Sequence, residues 1–335
     1  MNNKKLYLGI DAGSVSINLV LTDNKYKVLE KLYLRTLGKP IEVLKGGLEE
    51  LSQAIPPTYK IGGCGTTGSG RELANAMVSA DIVKNEITAH GTAVLHFIPE
   101  ASTILEIGGQ DSKIILLRNG VVSDFAMNTV CAAGTGSFLD RQASRLGIPI
   151  EQFGGMSIKS SAPVRIAGRC AVFAESDMIH KQQMGCSSED IIKGLCDALV
   201  RNYLNNVGKG KDILPQVVFQ GGVAANVGIK KAFEEALEQK VIVPDNFEVM
   251  GAIGVAILAH RRVESIGHTS FCGLDSIKKD FAAKTFECQD CSNLCEVVEI
   301  IAGTDIKARW GDRCGKWSSL VDKVEQKEQG LAQYG

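Results

Sequence analysis

The stretch LYLGIDAGSVSINLVLTD, residues 6–23, decides the fold class of this chain. Its two apolar runs flank one carboxylate, Asp11, and a short turn that begins at Gly13. Apolar runs of this length, bounded by turn residues, are typical of strands. The stretch therefore predicts a β-hairpin that opens a domain.

A second stretch, STILEIGGQDSKIILLRNGVVSDFA (residues 102–126), has the same layout. The equivalent positions are Asp11 and Glu106, Gly13 and Gly108, and Asn18 and Lys113. Asn119-Gly120 is a two-residue hairpin signal in this second copy. The repeat predicts a duplicated architecture in which each domain begins with a hairpin.

Helical patterns lie between and after the two hairpins. They are GRELANAMVSADIV (70–83) and SSEDIIKGLCDALVRNYLNNV (187–207). The latter has apolar residues at helical spacing, and Ser187 or Ser188 is its expected N-cap. PQVVFQGGVAANVGIKKAFEEAL (215–237) reads as a strand, a glycine turn and a helix. Strands alternating with helices indicate an α/β fold.

Two such domains facing one another over glycine turns predict a nucleotide-binding cleft between duplicated lobes. Glycine turns let backbone N–H groups approach phosphate oxygens, and nearby carboxylates hold hydrated Mg²⁺. Asp11 and Asp111 are the candidates for that role, with Glu106 behind them, and the general base for hydrolysis is expected among the same three acids. The alternative is that the glycines form tight hairpin turns and the acids are solvated.

Two other glycine patterns carry less weight. GGCGTTG (62–68) contains a literal G-x-G-x-x-G, but no acidic residue follows at the distance that a dinucleotide site requires. The sequence contains no G-x-x-x-x-G-K-[ST], so a P-loop ATPase is not expected.

Composition sets the broad class. The chain has 335 residues, a formal net charge of −1 and 44% hydrophobic residues, which predicts a globular protein of about two domains. Balanced charge gives no argument for a nucleic-acid or membrane partner. The apolar run near the N-terminus is short and interrupted by Asp11, so it predicts a strand instead of a signal peptide, and the protein is expected in the cytoplasm.

The ten cysteines are unevenly distributed. In a reducing compartment, metal ligation or catalysis is more common for cysteines than disulfide formation. Cys131, in VCAAGTGSFLD, has no neighbouring cysteine and precedes a predicted helix. Its thiol could be a nucleophile, a metal ligand or a small packed side chain. Cys170, in RCAVFAESDMI, has a similar setting.

GIDAGSVSINLVLTD, EIGGQDSKIILL and FQGGVAAN, in this order, resemble the first phosphate, second phosphate and adenosine motifs of the superfamily of acetate and sugar kinases, Hsp70 and actin. With KNEITAHGTA (84–93), the two cysteine motifs resemble one branch: the ATP-dependent activators of 2-hydroxyacyl-CoA dehydratases and the related benzoyl-CoA and double-cubane-cluster reductase systems. The resemblance covers about residues 5–262. It implies actin-like (ribonuclease H-like) lobes, predicted at residues 1–90 and 91–262, followed by a small Cys-rich extension at 263–335.

The resemblance implies an ATPase of anaerobic metabolism that binds ATP or ADP with Mg²⁺. In that family two cysteines of each subunit hold one [4Fe-4S] cluster across a homodimer, and ATP drives an electron to a partner iron-sulfur enzyme; a ferredoxin or flavodoxin is the implied donor. Cys131 and Cys170 are the residues that match. The expected nucleotide-binding residues are Gly13, Ser14, Val15, Ser16, Ile17, Asn18, Gly108, Gly109, Gln110, Gly221, Gly222, Ala225, Asn226 and Gly251.

Physical chemistry supports the same reading of the two cysteines. A cubane needs four thiolates, and neither Cys131 nor Cys170 has a neighbouring cysteine at metal-ligand spacing. A two-fold axis would double the pair to four. Each cysteine precedes a predicted helix, whose positive end and free N–H groups favour an anionic ligand.

The chain departs from the family in two places. Asn18 stands where many members carry lysine, so one phosphate contact is expected to be shorter or water-mediated. The chain also continues past residue 262, and this extension contains a second group of cysteines: Cys288, Cys291, Cys295 and Cys314. Four cysteines suffice for a second iron-sulfur cluster, slightly favoured in an electron-transfer protein, or for tetrahedral Zn²⁺; unmetallated thiols are the third possibility. Residues 321–335 are charged and predict a frayed or solvated segment.

Three classes of function remain open on sequence alone. The first is the ATP-driven reductase. The second is a small-molecule kinase of the same superfamily, in which the cysteines are incidental. The third is a regulatory or chaperone-like ATPase without a redox step. The two cysteine motifs favour the first.

Overall fold

A computed structural model describes residues 4–128, 131–275 and 279–318. The chain divides into two compact units, one from Met1–Glu86 and Gly251–Gly335 and the other from Ile87–Met250. The segment predicted at 321–335 lies outside the described residues. Among the described residues, no helix has both the length and the apolar character required to cross a bilayer.

The first unit is built on a five-stranded sheet with the order β3-β2-β1-β4-β5. The strands are β1 (Lys4–Ala12), β2 (Ser16–Thr22), β3 (Val28–Arg35), β4 (Tyr59–Thr67) and β5 (Ile82–Val83). β1, β2 and β3 are antiparallel, whereas β4 is parallel to β1 and to β5. Its helices are α1 (Pro40–Ala54), α2 (Arg71–Val78) and α9 (Met250–Ile266).

Helix α9 packs directly on this sheet through two glycines. A Cβ on Gly65 would lie 2.5 Å from the carbonyl oxygen of Val255, and one on Gly9 would overlap the carbonyl oxygen of Ala252. Only glycine permits so close an approach of helix and strand backbones. The structure therefore places α9 in the first unit, whereas the sequence-based boundary at residue 262 assigns it to the second lobe.

The second unit repeats the arrangement, with the sheet order β10-β9-β6-β7-β8. The strands are β6 (Thr103–Ile107), β7 (Ser112–Arg118), β8 (Val121–Asn128), β9 (Val217–Gln220) and β10 (Val241–Ile242). The helices are α3 (Glu86–Phe97), α4 (Gly136–Leu146), α5 (Ile150–Ser157), α6 (Ala171–Gln183), α7 (Ser188–Asn206) and α8 (Val227–Leu237). Single 3₁₀ turns occupy Ala132–Gly134 and Gly222–Ala225.

The register of the hairpins confirms the internal repeat. Asp11 pairs with Asn18 across β1 and β2, and Glu106 pairs with Lys113 across β6 and β7. These are the positions that the sequence alignment of the two stretches makes equivalent. Written in reverse, the strand order of the second sheet is β8-β7-β6-β9-β10, which matches β3-β2-β1-β4-β5 of the first sheet strand by strand. The duplication therefore extends beyond the hairpins.

Helix α7 is the central helix of the second core, with most of its length buried. Ser187 is its N-cap, as one of the two predicted alternatives: its hydroxyl accepts from the Asp190 N–H at 3.1 Å and donates to the Asp190 carboxylate at 2.7 Å. This cap satisfies the N–H of Asp190, one of the helix-start donors that would otherwise lack a partner. The start of this helix is therefore well defined by its own sequence.

A third, three-stranded antiparallel sheet follows α9 in the chain and belongs to the first unit. Its strands are β11 (Phe281–Glu287), β12 (Glu296–Ala302) and β13 (Asp305–Trp310). β13 contacts α2, and Phe281 packs against the core of the first unit. The Cys-rich extension is thus a small β structure attached to the first lobe.

Candidate functional site

The hairpin turn between β6 and β7 places a lysine between two carboxylates. Lys113 Nζ lies 3.0 Å from Glu106 Oε2 and 2.9 Å from Asp111 Oδ1. Lys113 and Glu106 are buried, whereas the Asp111 side chain is 33% exposed. The Tyr203 hydroxyl donates to the main-chain oxygen of Lys113 at 2.6 Å and supports β7 behind the turn. The turn is therefore a charged network at the end of a buried strand pair.

The environments of the two acids differ. Burial raises the pKa of the Glu106 carboxyl; the Lys113 ammonium opposes this effect and the Asp111 carboxylate adds to it. A carboxylate with a raised pKa is suited to accept a proton near neutral pH. A partly exposed carboxylate such as Asp111 is suited to hydrated Mg²⁺. Glu106 and Asp111 therefore lie in environments that suit different roles.

The first hairpin has the same construction without the lysine. The Gly13 N–H donates to the Ser16 carbonyl at 2.9 Å, as the Gly108 N–H donates to the Asp111 carbonyl at 3.0 Å. Asn18 is buried at the lysine position, and among the described residues its Oδ1 has no hydrogen-bond partner. A buried polar atom without a partner at a glycine turn fits a bound polar ligand.

The stretch GGCGTTG forms the end of β4 and the turn that follows it. Gly68 has φ +89°, and a Cβ there would lie 2.6 Å from Asp11 Oδ1. The Gly70 N–H donates to the Ala12 carbonyl at 2.7 Å. These glycines therefore allow the chain to pass directly beside Asp11, a role that the pattern alone did not reveal.

The motif FQGGVAAN brings another glycine to the second hairpin. Gly221 has φ +86°, and a Cβ there would lie 2.6 Å from Glu106 Oε1. Asn226 caps α8, because its Oδ1 accepts two N–H groups of the first helical turn at 3.0 and 3.1 Å. Its Nδ2 is buried and has no partner among the described residues. Asn226 thus caps α8 through its Oδ1, while its Nδ2 can donate to a ligand.

The predicted nucleotide-binding residues fall into one group in each unit, apart from one residue on α9. Those of the first hairpin are Gly13, Ser14, Val15, Ser16, Ile17 and Asn18, and those of the second unit are Gly108, Gly109, Gln110, Gly221, Gly222, Ala225 and Asn226. Gly251 lies in the first turn of α9. Within the second unit, the unpartnered Nδ2 of Asn226 and the partly exposed carboxylate of Asp111 fit a polar ligand such as a phosphate with Mg²⁺.

Cys131 is held by its main chain. Asn128 Nδ2 donates to the Cys131 carbonyl at 2.8 Å, and Asn128 Oδ1 accepts from the Cys131 N–H at 3.0 Å. The 3₁₀ turn Ala132–Gly134 and helix α4 follow immediately. The main-chain N–H and carbonyl of Cys131 are thus both held by one side chain, and its thiol is half-buried.

Cys170 is the N-cap residue of α6, and its thiol is also half-buried. The loop before it is tied to two helices. The Ala167 N–H donates to Asp177 Oδ2 on α6 at 2.8 Å, and Arg201 on α7 donates to the Ile166 carbonyl at 2.6 Å. Both cysteines therefore stand at helix starts, as predicted.

A single side chain on α7 connects the two cysteine loops. Asn202 Nδ2 donates to the Gly168 carbonyl at 2.6 Å and lies 4.0 Å from Cys131 Sγ. Asn206 Nδ2 donates to the Asn202 side-chain oxygen at 2.9 Å. The structure thus brings Cys131 and the loop of Cys170 together on one face of α7. Sequence reasoning did not single out Asn202.

A basic cavity of about 1010 Å³ opens beside Cys170. Its charged lining residues are Arg165, Arg169, Arg201, Lys209 and Asp177. Helices α4 and α6, which begin at the two cysteine loops, are joined by ion pairs of Glu175 with Arg141, at 3.0 Å, and with Arg145. A cluster with four thiolate ligands is anionic, so the excess of positive charge fits such a group.

Helix α4 is also hydrogen-bonded to the second hairpin turn. The Gly136 N–H donates to the Gly108 carbonyl and the Ser137 N–H donates to the Gly109 carbonyl, both at 2.9 Å. The Ser137 hydroxyl donates to the same Gly109 oxygen at 2.6 Å. The predicted phosphate turn and the helix that follows Cys131 are therefore in direct contact.

The remaining predicted ligands, Cys288, Cys291, Cys295 and Cys314, lie on two loops at one end of the third sheet. The ten cysteines all belong to the described residues and all are free thiols. Among the described residues, no three His, Cys, Asp or Glu side chains are already grouped around a common metal position.

Comparison with known proteins identifies the family. The profile of the BadF/BadG/BcrA/BcrD ATPase family matches residues 8–259. The (R)-2-hydroxyglutaryl-CoA dehydratase activating ATPase of Acidaminococcus fermentans is 32% identical over 268 residues, which cover 76% of this chain and 97% of the relative. The 2-hydroxyisocaproyl-CoA dehydratase activator of Clostridioides difficile is 34% identical over 241 residues, covering 71% and 82% of the two chains.

A solved structure supports the same conclusion. The activator of 2-hydroxyisocaproyl-CoA dehydratase from Clostridium difficile, with bound ADPNP, has a TM-score of 0.69 and 30% identity, covering 78% of this chain and 97% of that chain. The predicted actin-like α/β fold is thereby confirmed, and the third sheet lies beyond the family match. This chain belongs to the BadF/BadG/BcrA/BcrD ATPase family.

Proposed function

We propose that this chain hydrolyses ATP to drive low-potential electron transfer from a [4Fe-4S] cluster, shared by two copies of the chain, to a partner iron-sulfur enzyme in the cytoplasm. The acceptor is of the 2-hydroxyacyl-CoA dehydratase or double-cubane-cluster type, and a ferredoxin or flavodoxin is the donor. The observation that carries the proposal is the joint attachment of both cysteine loops to Asn202. The relatives' activity as dehydratase activators supports it.

One chain supplies only half of the ligands. Cys131 and Cys170 are two half-buried thiols, and a cubane needs four. A two-fold axis passing between two copies supplies the other pair. Val172, Phe173 and Met184, on and just after α6, are each more than 60% exposed, which suits a helix surface that a second copy covers.

The surroundings of the two thiols suit an anionic group. The N-termini of α4 and α6 and the basic residues of the cavity place positive charge near the cysteines. The Nδ2 donor of Asn202 is oriented towards Cys131 Sγ. When bound, the cluster supplies a single electron at low potential. The protein's contribution is to fix the thiols and to set that potential through hydrogen bonds and charge.

The nucleotide chemistry rests on the hairpin residues. We assign Asp111 to the hydrated Mg²⁺ that accompanies ATP, because its carboxylate is partly exposed at the turn. Asp11 is assigned the same role because it occupies the equivalent hairpin of the first unit. Glu106 is assigned as the base for the attacking water, because burial raises its pKa. Lys113 holds the two acids of the second turn in place.

The contact between α4 and the second hairpin couples the two sites. A change at Gly108 or Gly109 on nucleotide exchange reaches α4 through the three hydrogen bonds of Gly136 and Ser137. Since α4 begins after Cys131 and pairs with α6 through Glu175, both cysteine loops follow the same movement. Differential affinity of ATP and ADP for two such arrangements would provide the driving force.

Anaerobic purification with metal analysis and EPR spectroscopy tests the proposal. We expect a dimer with about four irons bound at the Cys131 and Cys170 site, and an EPR signal of the reduced protein that changes when ATP is added. Cys131→Ser or Cys170→Ser should remove this iron and retain nucleotide binding. Cys186→Ser is the matched control, because Cys186 is another half-buried thiol of the same unit.

Two results would contradict the proposal. One is a monomeric protein without iron after oxygen-free purification. The other is phosphoryl transfer from ATP to an added alcohol or carboxylate that is unaffected by the cysteine substitutions, which would make the chain a small-molecule kinase.

A further inference from the structure

The antiparallel order of the third sheet brings all four cysteines of the extension to one end. Glu287, the last residue of β11, pairs with Glu296, the first of β12, so Cys288, Cys291 and Cys295 lie on the connecting loop. Trp310, the last residue of β13, pairs with Val298 near the start of β12. Cys314 follows β13 and therefore lies at the same end.

Contacts join the two cysteine loops. Within the first loop, the Cys288 N–H donates to the Cys295 carbonyl at 2.8 Å, which brings two of the cysteines together. The Cys288 thiol donates to Asp290 Oδ2 at 3.2 Å, and the same carboxylate oxygen pairs with Lys316 of the second loop.

The second loop is positioned by a glycine and a tryptophan. Gly311 has φ +103°, and a Cβ there would overlap the carbonyl oxygen of Glu296, so glycine lets the chain turn back against the start of β12. The Trp317 ring packs edge-on against Phe286 with the centroids 4.9 Å apart. The Trp317 N–H donates to Asp312 Oδ2 at 2.8 Å. Cys314 lies within this fixed turn.

The apolar core of this sheet is small. Among the described residues of its three strands, only Val297, Ile300 and Ala302 are buried apolar side chains, and most of β11 is exposed. Small β structures with so little core need an additional cross-link, such as a structural metal ion. The free thiols are not in disulfides, so a metal ion is the cross-link that this chemistry allows.

We propose that Cys288, Cys291, Cys295 and Cys314 bind one Zn²⁺ as a structural tetrathiolate site. On binding, the four thiols release their protons to solvent and the Cys288 thiol exchanges Asp290 for the metal. The exposed positions of Cys291 and Cys314 leave both free to turn inwards. A single ion suits the geometry better than a cubane, because Asp290 and Lys316 already bring the two loops into direct contact. Lys316, which pairs with Asp290 beside Cys288, offsets part of the negative charge of the site.

Metal analysis of the full-length protein tests this site independently of the proposed function. We expect about one zinc per chain in the wild type and in the Cys131→Ser/Cys170→Ser double variant. Cys291→Ser and Cys314→Ser should lose that zinc and keep the iron of the other cysteines. Cys272→Ser is the control, since Cys272 is an exposed thiol of the same unit, whose Sγ lies 3.7 Å from the Met77 carbonyl.

Cobalt provides a second measurement that does not depend on folded variants. Co²⁺ added to the chelator-treated wild-type chain should give the thiolate charge-transfer absorption of a tetrahedral tetrathiolate site, and zinc should displace it. The proposal would be overturned if both Cys291→Ser and Cys314→Ser retained zinc. It would also be overturned if the metal that these two variants lose were iron and not zinc. The absence of zinc and of a cobalt-thiolate spectrum in the wild type would overturn it as well.

Discussion

Replacing Asn202 with alanine should loosen both cysteine loops at once. The side chain is 3% exposed and makes two short hydrogen bonds, to the Gly168 carbonyl and from Asn206 Nδ2. Each neutral hydrogen bond contributes about 1 kcal/mol, and a carbonyl left without a partner adds to the loss. We therefore expect the variant to be destabilised by about 2–3 kcal/mol, concentrated in the loop that precedes Cys170.

Amide hydrogen exchange of the iron-free protein measures this loss where it occurs. A change of about 2–3 kcal/mol corresponds to a roughly 30- to 150-fold faster exchange of loop amides such as that of Ala167, if they exchange by opening of this loop. Asn205→Ala is the matched control, because Asn205 is exposed on the same helix and lines the same cavity. Equal exchange in the two variants would refute the reasoning.

The same substitution should also affect the potential of the bound cluster. A hydrogen bond to a ligand sulfur stabilises the more negative, reduced state, so its loss lowers the potential. The long Nδ2–Sγ distance of 4.0 Å indicates a weak bond. A differential of about 0.5–1 kcal/mol corresponds to about 20–40 mV for one electron, and a higher potential in Asn202→Ala would contradict the assignment.

Three further predictions concern the supporting network. Lys113→Met should destabilise the protein by about 3–5 kcal/mol in denaturant titrations, since it leaves buried Glu106 without its cation. This loss of unfolding free energy should shrink as the pH falls, because Glu106, whose pKa is already raised by burial, then accepts a proton. Hydrogen bonds from Ser160, Ser187 and nearby backbone N–H groups lower the pKa of Asp190 to about 2. The Asp190 carboxylate should therefore stabilise α7 above pH 4. The difference in melting temperature between wild type and Asp190→Asn should disappear as the pH falls from about 4 towards 2. Ser137→Ala should preserve ATP binding and iron content but reduce the effect of ATP on the cluster potential, measured by redox titration with a non-hydrolysable analogue.

The hairpins could be predicted because their information is local. Alternating apolar runs, a carboxylate and a glycine turn recur in both copies, and the cross-strand register then follows from the turn. Asn119 and Gly120 form the predicted two-residue hairpin turn, and both have left-handed backbone, with φ of 52° and 74°. The equivalence of Asn18 and Lys113 was visible for the same reason.

The parts that could not be predicted depend on distant segments. Nothing in the sequence near Lys113 states that its ammonium lies between Glu106 and Asp111, although a lysine inside an apolar strand was a signal that it needs a buried partner. Asn202 was similar: it is a polar residue among the buried positions of α7, and only the fold shows that Gly168 and Cys131 meet there.

The energetics explain why the contact between α4 and the second hairpin matters for the proposed function. Lowering a one-electron potential by about 200 mV requires about 4–5 kcal/mol. Hydrogen bonds such as that of Asn202 contribute about 1 kcal/mol each, so fixed contacts tune the potential but do not drive a change of that size. The nucleotide must supply it through unequal affinity for two arrangements of the cysteine loops, and linkage then requires that oxidised protein bind ATP more tightly than reduced protein, by tenfold for every 59 mV. Because Ser137 and Gly136 connect the phosphate turn to the helix after Cys131, weakening this connection should reduce both quantities together, with the affinity ratio falling tenfold for every 59 mV lost from the potential shift. A Ser137→Ala protein that retained both in full would show that the Ser137 hydroxyl has no part in the coupling, since this substitution leaves the two backbone hydrogen bonds of Gly136 and Ser137 in place.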